Sequence, residues 1–352
     1  MRKNKIIILE DIEKKYLFKR RVIFFFLLIK YIIMVLGDFM YKDKRIVFMG
    51  TPDFSVPVLK MLIENYNVVA VVTQPDKQVG REGKIKMTPV KELALSYDIP
   101  VLQPEKLRKE YMDVLKYEPD IIITCAYGQI VPKEIIDYPK YKCVNVHASL
   151  LPRHRGGAPI HRAIIDGDKE TGITIMHMDY GMDNGDIIEQ SKIAIEDNDT
   201  AESLFDKLSV LGASFLNEVL PKIFDNNINP ISQNELEATF SYNIKPEDEI
   251  VNFNKPVVDV YNQVRGLNSW PVAYTLLDNK RMKVWETKIG DKSSNKEPGI
   301  ITSTSSDGIH VQTLDYEIIL TVIQPEGKKR MNAKDYLNGI NKEELIGKKL
   351  GW

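Results

Sequence analysis

Between residues 44 and 195, short apolar runs alternate with segments of helical pattern, and this alternation leaves few folds open to the chain. The apolar runs cover residues 45–49, 68–73, 100–102, 121–126 and 144–148. Strands that are apolar on both faces and separated by helices are typical of a parallel sheet covered on both sides. We therefore predict an α/β fold whose N-terminal domain is a doubly wound, mostly parallel, Rossmann-like sheet.

The last of these runs carries two polar residues on one face. Side chains alternate along a strand, so Asn145 and His147 point to one side while Val144 and Val146 point to the other. Two polar groups on an otherwise apolar strand cost free energy in a core unless they find partners. The ligand crevice of such sheets lies beyond the carboxyl ends of the strands, so this pair falls where the fold places an active site.

A carboxylate from a later loop, Asp183, completes a set suited to acyl transfer. The amide of Asn145 can bind a developing oxyanion, the imidazole of His147 can move protons, and Asp183 can orient that imidazole. This pattern favours an enzyme, with a hydrogen-bonded core histidine as the alternative for His147. The other histidines lack such neighbours in the sequence, which predicts surface or structural roles. They are His154, His161, His177 and His310.

Motifs of other enzyme classes are incomplete in this sequence. Residues 50–55 lack the glycine spacing of a dinucleotide site, and residues 80–85 do not form a P-loop. Ser149 is not surrounded by the nucleophile elbow of a serine hydrolase. Cys125 and Cys143 both lie in apolar, strand-like runs, and there is no further cluster of Cys and His. We therefore expect neither a disulfide framework nor a metal site.

The pattern changes after residue 228. Asn-, Ser- and Pro-bearing sequence at 229–246 predicts a linker. One helical segment, 256–266, and several short alternating segments follow, which predicts a small β-barrel of the OB type. The predicted domains are therefore a catalytic domain at 40–228 and a C-terminal barrel at 247–352.

A net charge of −1 argues against a protein that wraps nucleic acid by global positive charge. Two local basic clusters remain, one in each domain, and together they suggest an elongated polyanion that spans both. The first contains Lys77, Arg81, Lys84 and Lys86; the second contains Lys328, Lys329 and Arg330.

The N-terminal residues 1–39 do not fit either domain. Their apolar run at 22–36 is interrupted by Lys30 and is shorter than the ~20 apolar residues of a spanning helix. No small-residue cleavage site follows it. We expect residues 1–39 to be an extension upstream of a true start at Met34 or Met40, or an unstructured apolar leader. A membrane anchor is the alternative.

Several segments resemble the folate-dependent formyltransferases. The resemblance lies in residues 144–160, 172–176 and 182–186. Residues 50–54, 73–76, 80–81 and 270–271 are similar to the members of that family that act on methionyl-tRNA. Together these motifs extend the resemblance over about residues 44–352. His154 stands where the family often carries an aromatic residue.

The resemblance implies an enzyme that moves the formyl group of 10-formyltetrahydrofolate to the α-amino group of initiator methionyl-tRNA, without a metal. It implies that Asn145, His147 and Asp183 perform the transfer, that Arg81 engages the acceptor end of the tRNA, and that the barrel contacts phosphates. The implied folate pocket contains Ser149, Leu150, Leu151 and Pro152, together with Ala126, Tyr127, Gly128, Gln129, Ile130 and Val131.

Two other functions stay open. One is a formyltransferase for a small amine, such as glycinamide ribonucleotide or a nucleotide amino-sugar, against which the C-terminal barrel and the two basic clusters argue. The other is a non-catalytic RNA-binding protein, against which the complete trio argues. We expect a cytoplasmic monomer with no stable membrane partner.

Overall fold

A computed structural model describes residues 41–79 and 83–351 of the chain. In the N-terminal domain the strands are β1 (Arg45–Gly50), β2 (Asn67–Val72), β3 (Lys77–Val79), β4 (Lys84–Lys86), β5 (Val101–Leu102), β6 (Ile121–Cys125), β7 (Cys143–His147), β8 (Glu170–His177) and β9 (Ile187–Ala194). The helices are α1 (Val56–Asn65), α2 (Pro89–Ser96), α3 (Leu107–Leu115), α4 (Lys133–Ile136), α5 (Pro159–Ile165) and α6 (Ala201–Phe224).

The N-terminal sheet has seven strands in the order β5-β2-β1-β6-β7-β8-β9. The first five run parallel, which confirms the predicted α/β fold with a mostly parallel sheet. The last two, β8 and β9, are antiparallel to their neighbours. Residues 178–186 join β8 to β9, and a connection this short can link only antiparallel neighbours, since a parallel crossover needs a dozen or more residues.

Alternation along β7 distributes its side chains between two hydrophobic cores. Val144 and Val146 pack in the core that α1 and α6 cover. Cys143 packs in a second core on the other face of the sheet. Asn145 and His147 lie on the same side as Cys143, and at the carboxyl end of the strand that side meets a cavity instead of a core.

The basic loop predicted after β2 contains a hairpin. Lys77 pairs with Lys86, and Gln78 pairs with Ile85, in an antiparallel ladder of three residues on each side. Strands this short and this charged carry no hydrophobic alternation, so the sequence pattern did not indicate them.

Two predictions concern residues outside the described part of the chain. Residues 80–82, which include Arg81, and residues 1–39 both lie there. Across residues 41–79 and 83–351, no helix combines the length and the apolar character needed to cross a lipid bilayer.

The C-terminal domain is a curled antiparallel half-barrel, in agreement with the predicted small barrel. Its strands are β10 (Tyr274–Leu277), β11 (Lys280–Ile289), β12 (Ile301–Thr304), β13 (Ile309–Gln312), β14 (Glu317–Pro325) and β15 (Met331–Asn332), and its helices are α7 (Val257–Gly266) and α8 (Ala333–Asn338). The sheet order is β10-β11-β14-β13-β12, with β15 paired to β14. Val260 and Val264 of α7 pack into its core. The sequence pattern did not indicate β10, β15 or α8.

The two domains meet where α5 packs against α7. A Cβ atom on Gly266 would lie 2.7 Å from Cγ1 of Ile165, so only glycine permits this approach of the two helices. Ile165 in turn packs against the C-terminal core. Arg265 donates to the backbone oxygens of Glu196 and Asp199, at 3.1 and 2.9 Å. The C-terminal domain is therefore anchored on helix α5 and on the Glu196–Asp199 loop of the N-terminal domain.

Candidate active site

A cavity of about 500 Å³ opens at the carboxyl ends of β6 and β7. One side of its wall is apolar and includes Phe54 and Phe205, whose rings meet edge to face with centroids 5.1 Å apart. The other side is polar and includes Asn145, His147 and Asp183. The structure thus brings the three side chains of the predicted trio together at one cavity.

The hydrogen bonds of His147 determine its tautomer. Its ring is buried, and Nε2 lies 2.9 Å from the backbone oxygen of His154. A carbonyl oxygen only accepts, so Nε2 carries the proton and donates it. Nδ1 of the neutral ring then keeps a free lone pair, which faces Oδ1 of Asp183 at 3.7 Å. His147 can therefore take up a proton at Nδ1 and place the resulting charge beside a carboxylate.

Asn145 is oriented by its neighbour in the sheet. Thr124, its partner across β6, lies with Oγ1 2.8 Å from Oδ1 of Asn145. The threonine hydroxyl donates to Oδ1, which leaves the amide Nδ2 as a donor, 3.5 Å from Oδ1 of Asp183. This orientation lets Nδ2 donate to an oxygen that gains negative charge within the cavity.

Asp183 reaches the strand from the loop between β8 and β9. Its second oxygen, Oδ2, accepts a hydrogen bond from the backbone N–H of Gly156 at 2.8 Å. Gly156 has φ +113°, and a Cβ atom there would lie 2.9 Å from the backbone oxygen of Ser241. Glycine is therefore required at this position, and its amide fixes the carboxylate that faces His147 and Asn145.

The segment predicted as a linker supports this site directly. Gln233 donates from Nε2 to the backbone oxygens of Asp183 and Gly185, at 2.7 and 2.8 Å. The buried guanidinium of Arg155 binds Gln233 and forms a two-armed ion pair with Glu235. This ion pair holds the pKa of Glu235 below its usual value. The segment therefore fixes the loop that carries Asp183.

Two of the histidines for which the sequence predicts surface or structural roles lie near the site. His154 is buried, with Nδ1 2.7 Å from Oγ of Ser241 and Nε2 2.7 Å from Oδ2 of Asp168. It is structural, as predicted. His161 lines the cavity, and burial lowers its pKa below the usual value. The sequence pattern did not place His161 at the cavity. The signal that could have done so is its position two residues after the Gly156–Pro159 stretch, which lines the same cavity.

The residues implied for the folate pocket fall into two groups. Ala126, Tyr127, Gly128, Gln129 and Val131 line the cavity, and Ile130 is 67% exposed beside it. Ser149–Pro152 instead form a turn behind the strand end. There Oγ of Ser149 donates to the backbone oxygen of Arg153 at 2.7 Å, and Leu150 lines a separate cavity of about 200 Å³. This turn supports the backbone that carries His147 and His154.

The basic residues lie on the surfaces of both domains. Lys77, Lys86, Lys328 and Lys329 are exposed, and Lys84 belongs to β4. The guanidinium of Arg330 stacks on Trp285 at 4.5 Å and pairs with Glu286, so part of its charge is already neutralised. Among the described residues, no group of three or more His, Cys, Asp or Glu side chains could hold a metal ion.

The contact between Gln233 and the Asp183 loop leads to a first prediction. Changing Gln233 to Ala should lower kcat by roughly 10-fold, because two hydrogen bonds that fix the loop are lost. The Michaelis constants should change little, since the side chain acts through Asp183, whereas the melting temperature should fall because the buried Arg155 Nε also loses its acceptor. Steady-state kinetics and thermal unfolding would measure both effects.

Asn234→Ala is the matched control, because Asn234 lies on the same segment but caps only the short 3₁₀ turn at Glu235–Glu237. Equal losses of kcat in the two variants would contradict the positioning role of Gln233.

Comparison with known proteins identifies both domains. The sequence model of the family described as "Formyl transferase" matches residues 44–220, and that of "Formyl transferase, C-terminal domain" matches residues 243–341. A solved N-formyltransferase from Helicobacter canadensis, in complex with folinic acid and dTDP-3-aminofucose, has the same fold. Its TM-score is 0.60 at 20% identity, and the match covers 80% of this chain and 99% of that one.

Curated relatives are much closer in sequence. The methionyl-tRNA formyltransferase of Bacillus licheniformis is 52% identical over 311 residues, which cover 87% of this chain and 98% of the relative. The methionyl-tRNA formyltransferase of Staphylococcus aureus is 49% identical, with 87% and 99% covered. On the evidence of both domains and of these relatives, the chain belongs to the formyl transferase family.

Proposed function

We propose that this enzyme transfers the formyl group of 10-formyltetrahydrofolate to the α-amino group of initiator methionyl-tRNA. One observation carries the proposal: relatives named methionyl-tRNA formyltransferase are 52% and 49% identical over almost their whole length. That length includes the C-terminal half-barrel. We further propose that the enzyme works in the cytoplasm as a monomer without a membrane partner.

In the proposed reaction the amine nitrogen bonds to the formyl carbon, the bond from that carbon to N10 breaks, and a proton moves from the amine to N10. His147 carries this proton at Nδ1, a role that typically contributes about 10²–10⁴-fold to the rate. Asp183 stabilises the imidazolium that forms. Asn145 donates from Nδ2 to the formyl oxygen while that oxygen gains negative charge.

The cavity has the size and lining of a small-molecule site, which supports a folate as its ligand. Small-molecule sites commonly enclose about 300–1,000 Å³ with mostly apolar walls, and this cavity falls within that range. The backbone of residues 126–131 offers N–H and C=O groups to a heterocycle. It is held in place because Thr51 and Gln74 both donate to the backbone oxygen of Tyr127, at 2.8 and 3.3 Å. We propose that this loop binds the pterin, while Ser149–Pro152 supports the strand end that carries His147.

The exposed lysines of both domains support a phosphate-rich partner. Lys77 and Lys86 project from the hairpin that follows β2, and Lys328 and Lys329 project from the turn after β14. Lysines on two domains suit a long polyanion, whose phosphates they would contact without reading its sequence. We propose that these residues and Arg81 hold the tRNA.

A comparison of three acceptor substrates tests this function. The purified chain would be given 10-formyltetrahydrofolate with initiator methionyl-tRNA, glycinamide ribonucleotide or a nucleotide amino-sugar in parallel reactions. We expect formyl-methionyl-tRNA as the only product. Raising the salt from roughly 50 to 200 mM should increase the Michaelis constant for tRNA steeply and that for the folate hardly at all, because only the tRNA displaces counterions.

The possible outcomes separate the three functions. Formylation of a small amine alone would retain the catalytic trio and reject the tRNA substrate. An absence of any formyl transfer, together with salt-dependent binding of tRNA, would indicate a non-catalytic RNA-binding protein.

A further inference from the structure

The ring of His147 lies between two hydrogen-bond acceptors that favour opposite tautomers. The backbone oxygen of His154 lies 2.9 Å from Nε2, and Oδ1 of Asp183 lies 3.7 Å from Nδ1. The neutral ring carries one proton, so it donates to only one of these oxygens at a time. The carboxylate attracts that proton to Nδ1, whereas the carbonyl keeps it on Nε2 and leaves Nδ1 free. The proposed proton transfer therefore depends on where the oxygen of His154 is held.

The backbone of His154 needs outside support to hold that oxygen in place. Its φ is +58°, a conformation that residues other than glycine rarely adopt, so the contacts around the residue must maintain it. The backbone N–H of His154 donates to Oγ1 of Thr239 at 2.9 Å. The residue is only 4% exposed, and its ring makes two further hydrogen bonds.

Asp168 makes the stronger of these two bonds to the ring. Its Oδ2 lies 2.7 Å from Nε2 of His154, and its side chain is 18% exposed. A carboxylate only accepts, so Nε2 carries the proton, and Nδ1 of the neutral ring accepts from the hydroxyl of Ser241 at 2.7 Å. A hydrogen bond to an ionised group is stronger than one between neutral groups. Asp168 is therefore the main anchor of the His154 ring.

We propose that Asp168 is a positioning residue: through the ring and backbone of His154, it holds His147 in the tautomer that leaves Nδ1 free. This inference rests on the proposed function, in which Nδ1 takes up the proton of the amine. Asp168 lines the separate cavity of about 200 Å³ rather than the catalytic one, so it acts without touching either substrate. Without Asp168, the oxygen of His154 can move away from Nε2, and the proton can shift to Nδ1 beside Asp183.

Kinetics of Asp168→Ala tests the proposal. We expect kcat to fall by roughly 10-fold, the effect of losing one hydrogen bond to a charged group, with the Michaelis constants unchanged. Asp168→Asn should keep most of the activity, because its amide oxygen still accepts from His154. Arg153→Ala is the matched control and should behave like the wild type. It removes the ion pair of Asp168 with Arg153, at 2.7 Å, but leaves the bond between Asp168 and His154.

The tautomer of His147 gives a second readout, which does not depend on turnover. The ¹⁵N chemical shifts of a labelled, neutral imidazole show which nitrogen carries the proton, and the signals that disappear in His147→Gln identify those of His147. We expect the proton on Nε2 in the wild type and a larger fraction on Nδ1 in Asp168→Ala. A loss of kcat without a change of tautomer would reject the proposal and leave Asp168 with a role in stability alone.

Ser241→Ala tests the same contact from the other edge of the ring if Asp168→Ala does not fold. It removes the hydroxyl that binds Nδ1 of His154 and keeps the backbone hydrogen bonds of Ser241. We expect a lower kcat, unchanged Michaelis constants and more of the His147 proton on Nδ1. A wild-type tautomer in this variant would overturn the proposal.

These measurements also separate the inference from the proposed function. If the wild type does not formylate methionyl-tRNA, the proposed function fails, whereas a tautomer that responds to Asp168→Ala still shows that Asp168 positions His147. If the wild type formylates methionyl-tRNA and Asp168→Ala changes neither kcat nor the tautomer, only the inference fails.

Discussion

Replacing His147 with glutamine should lower kcat by about 10²–10⁴-fold while the protein stays folded. A glutamine amide can reach the position of Nε2 and still donate to the backbone oxygen of His154, so the buried hydrogen bond survives. It offers no basic nitrogen in place of Nδ1, so the proton of the attacking amine has no acceptor. Single-turnover formylation and thermal unfolding would measure the two effects separately.

The variant His147→Ala should lose as much activity and also some stability, because it leaves the oxygen of His154 short of a donor. His310→Gln serves as the control, since His310 lies on β13 in the C-terminal domain. A kcat for His147→Gln within tenfold of the wild type would remove His147 from the proton transfer.

Replacing Asn145 with alanine should lower kcat by about 10²–10³-fold, the typical effect of removing one oxyanion donor. The Michaelis constant for the folate should change little, because the donor acts on charge that develops only during the reaction. Asn145→Asp should be at least as impaired: it keeps the acceptor for Thr124 but replaces the amide donor with a negative oxygen. Steady-state kinetics with varied folate would compare both variants with the wild type.

Thr124→Ser and Thr124→Val complete this test. Serine keeps the hydroxyl that orients the amide of Asn145 and should retain activity, whereas valine frees the amide to turn and should lose part of it. If Asn145→Ala kept kcat within a few-fold of the wild type, the oxyanion would have to be stabilised by another group.

Much of the fold follows from local pattern in the sequence. The apolar run at 121–126 became β6, and Thr200 caps α6 because its hydroxyl accepts the N–H of Ser203 while Ser203 binds back. Elements with weak local signals were missed. The hairpin of β3 and β4 is charged and only three residues long on each side, and β10 spans four residues.

The site shows the same difference between features that a local sequence pattern predicts and features that depend on contacts between distant residues. The period of a strand predicts that Asn145 and His147 share a face, because that depends on adjacent residues alone. The support of Asp183 by Gly156 and Gln233 depends on contacts between residues 27 and 50 positions apart, which no local pattern encodes. A family motif shows which residues lie near the site but not which of them face the cavity. The resemblance placed Ser149–Pro152 in the folate pocket, whereas the structure places this turn behind the strand end.

The close contact of Gly266 with Ile165 fixes the distance between the cavity and the C-terminal domain. Helix α5 begins at Pro159 in the cavity wall and ends at Ile165 against the C-terminal core, so a span of about 10 Å of rigid helix separates the two. If the half-barrel binds the body of the tRNA, this rigid helix sets the distance between that contact and the reacting groups. The length of an acceptor arm that reaches the cavity would then depend on this contact between the two domains.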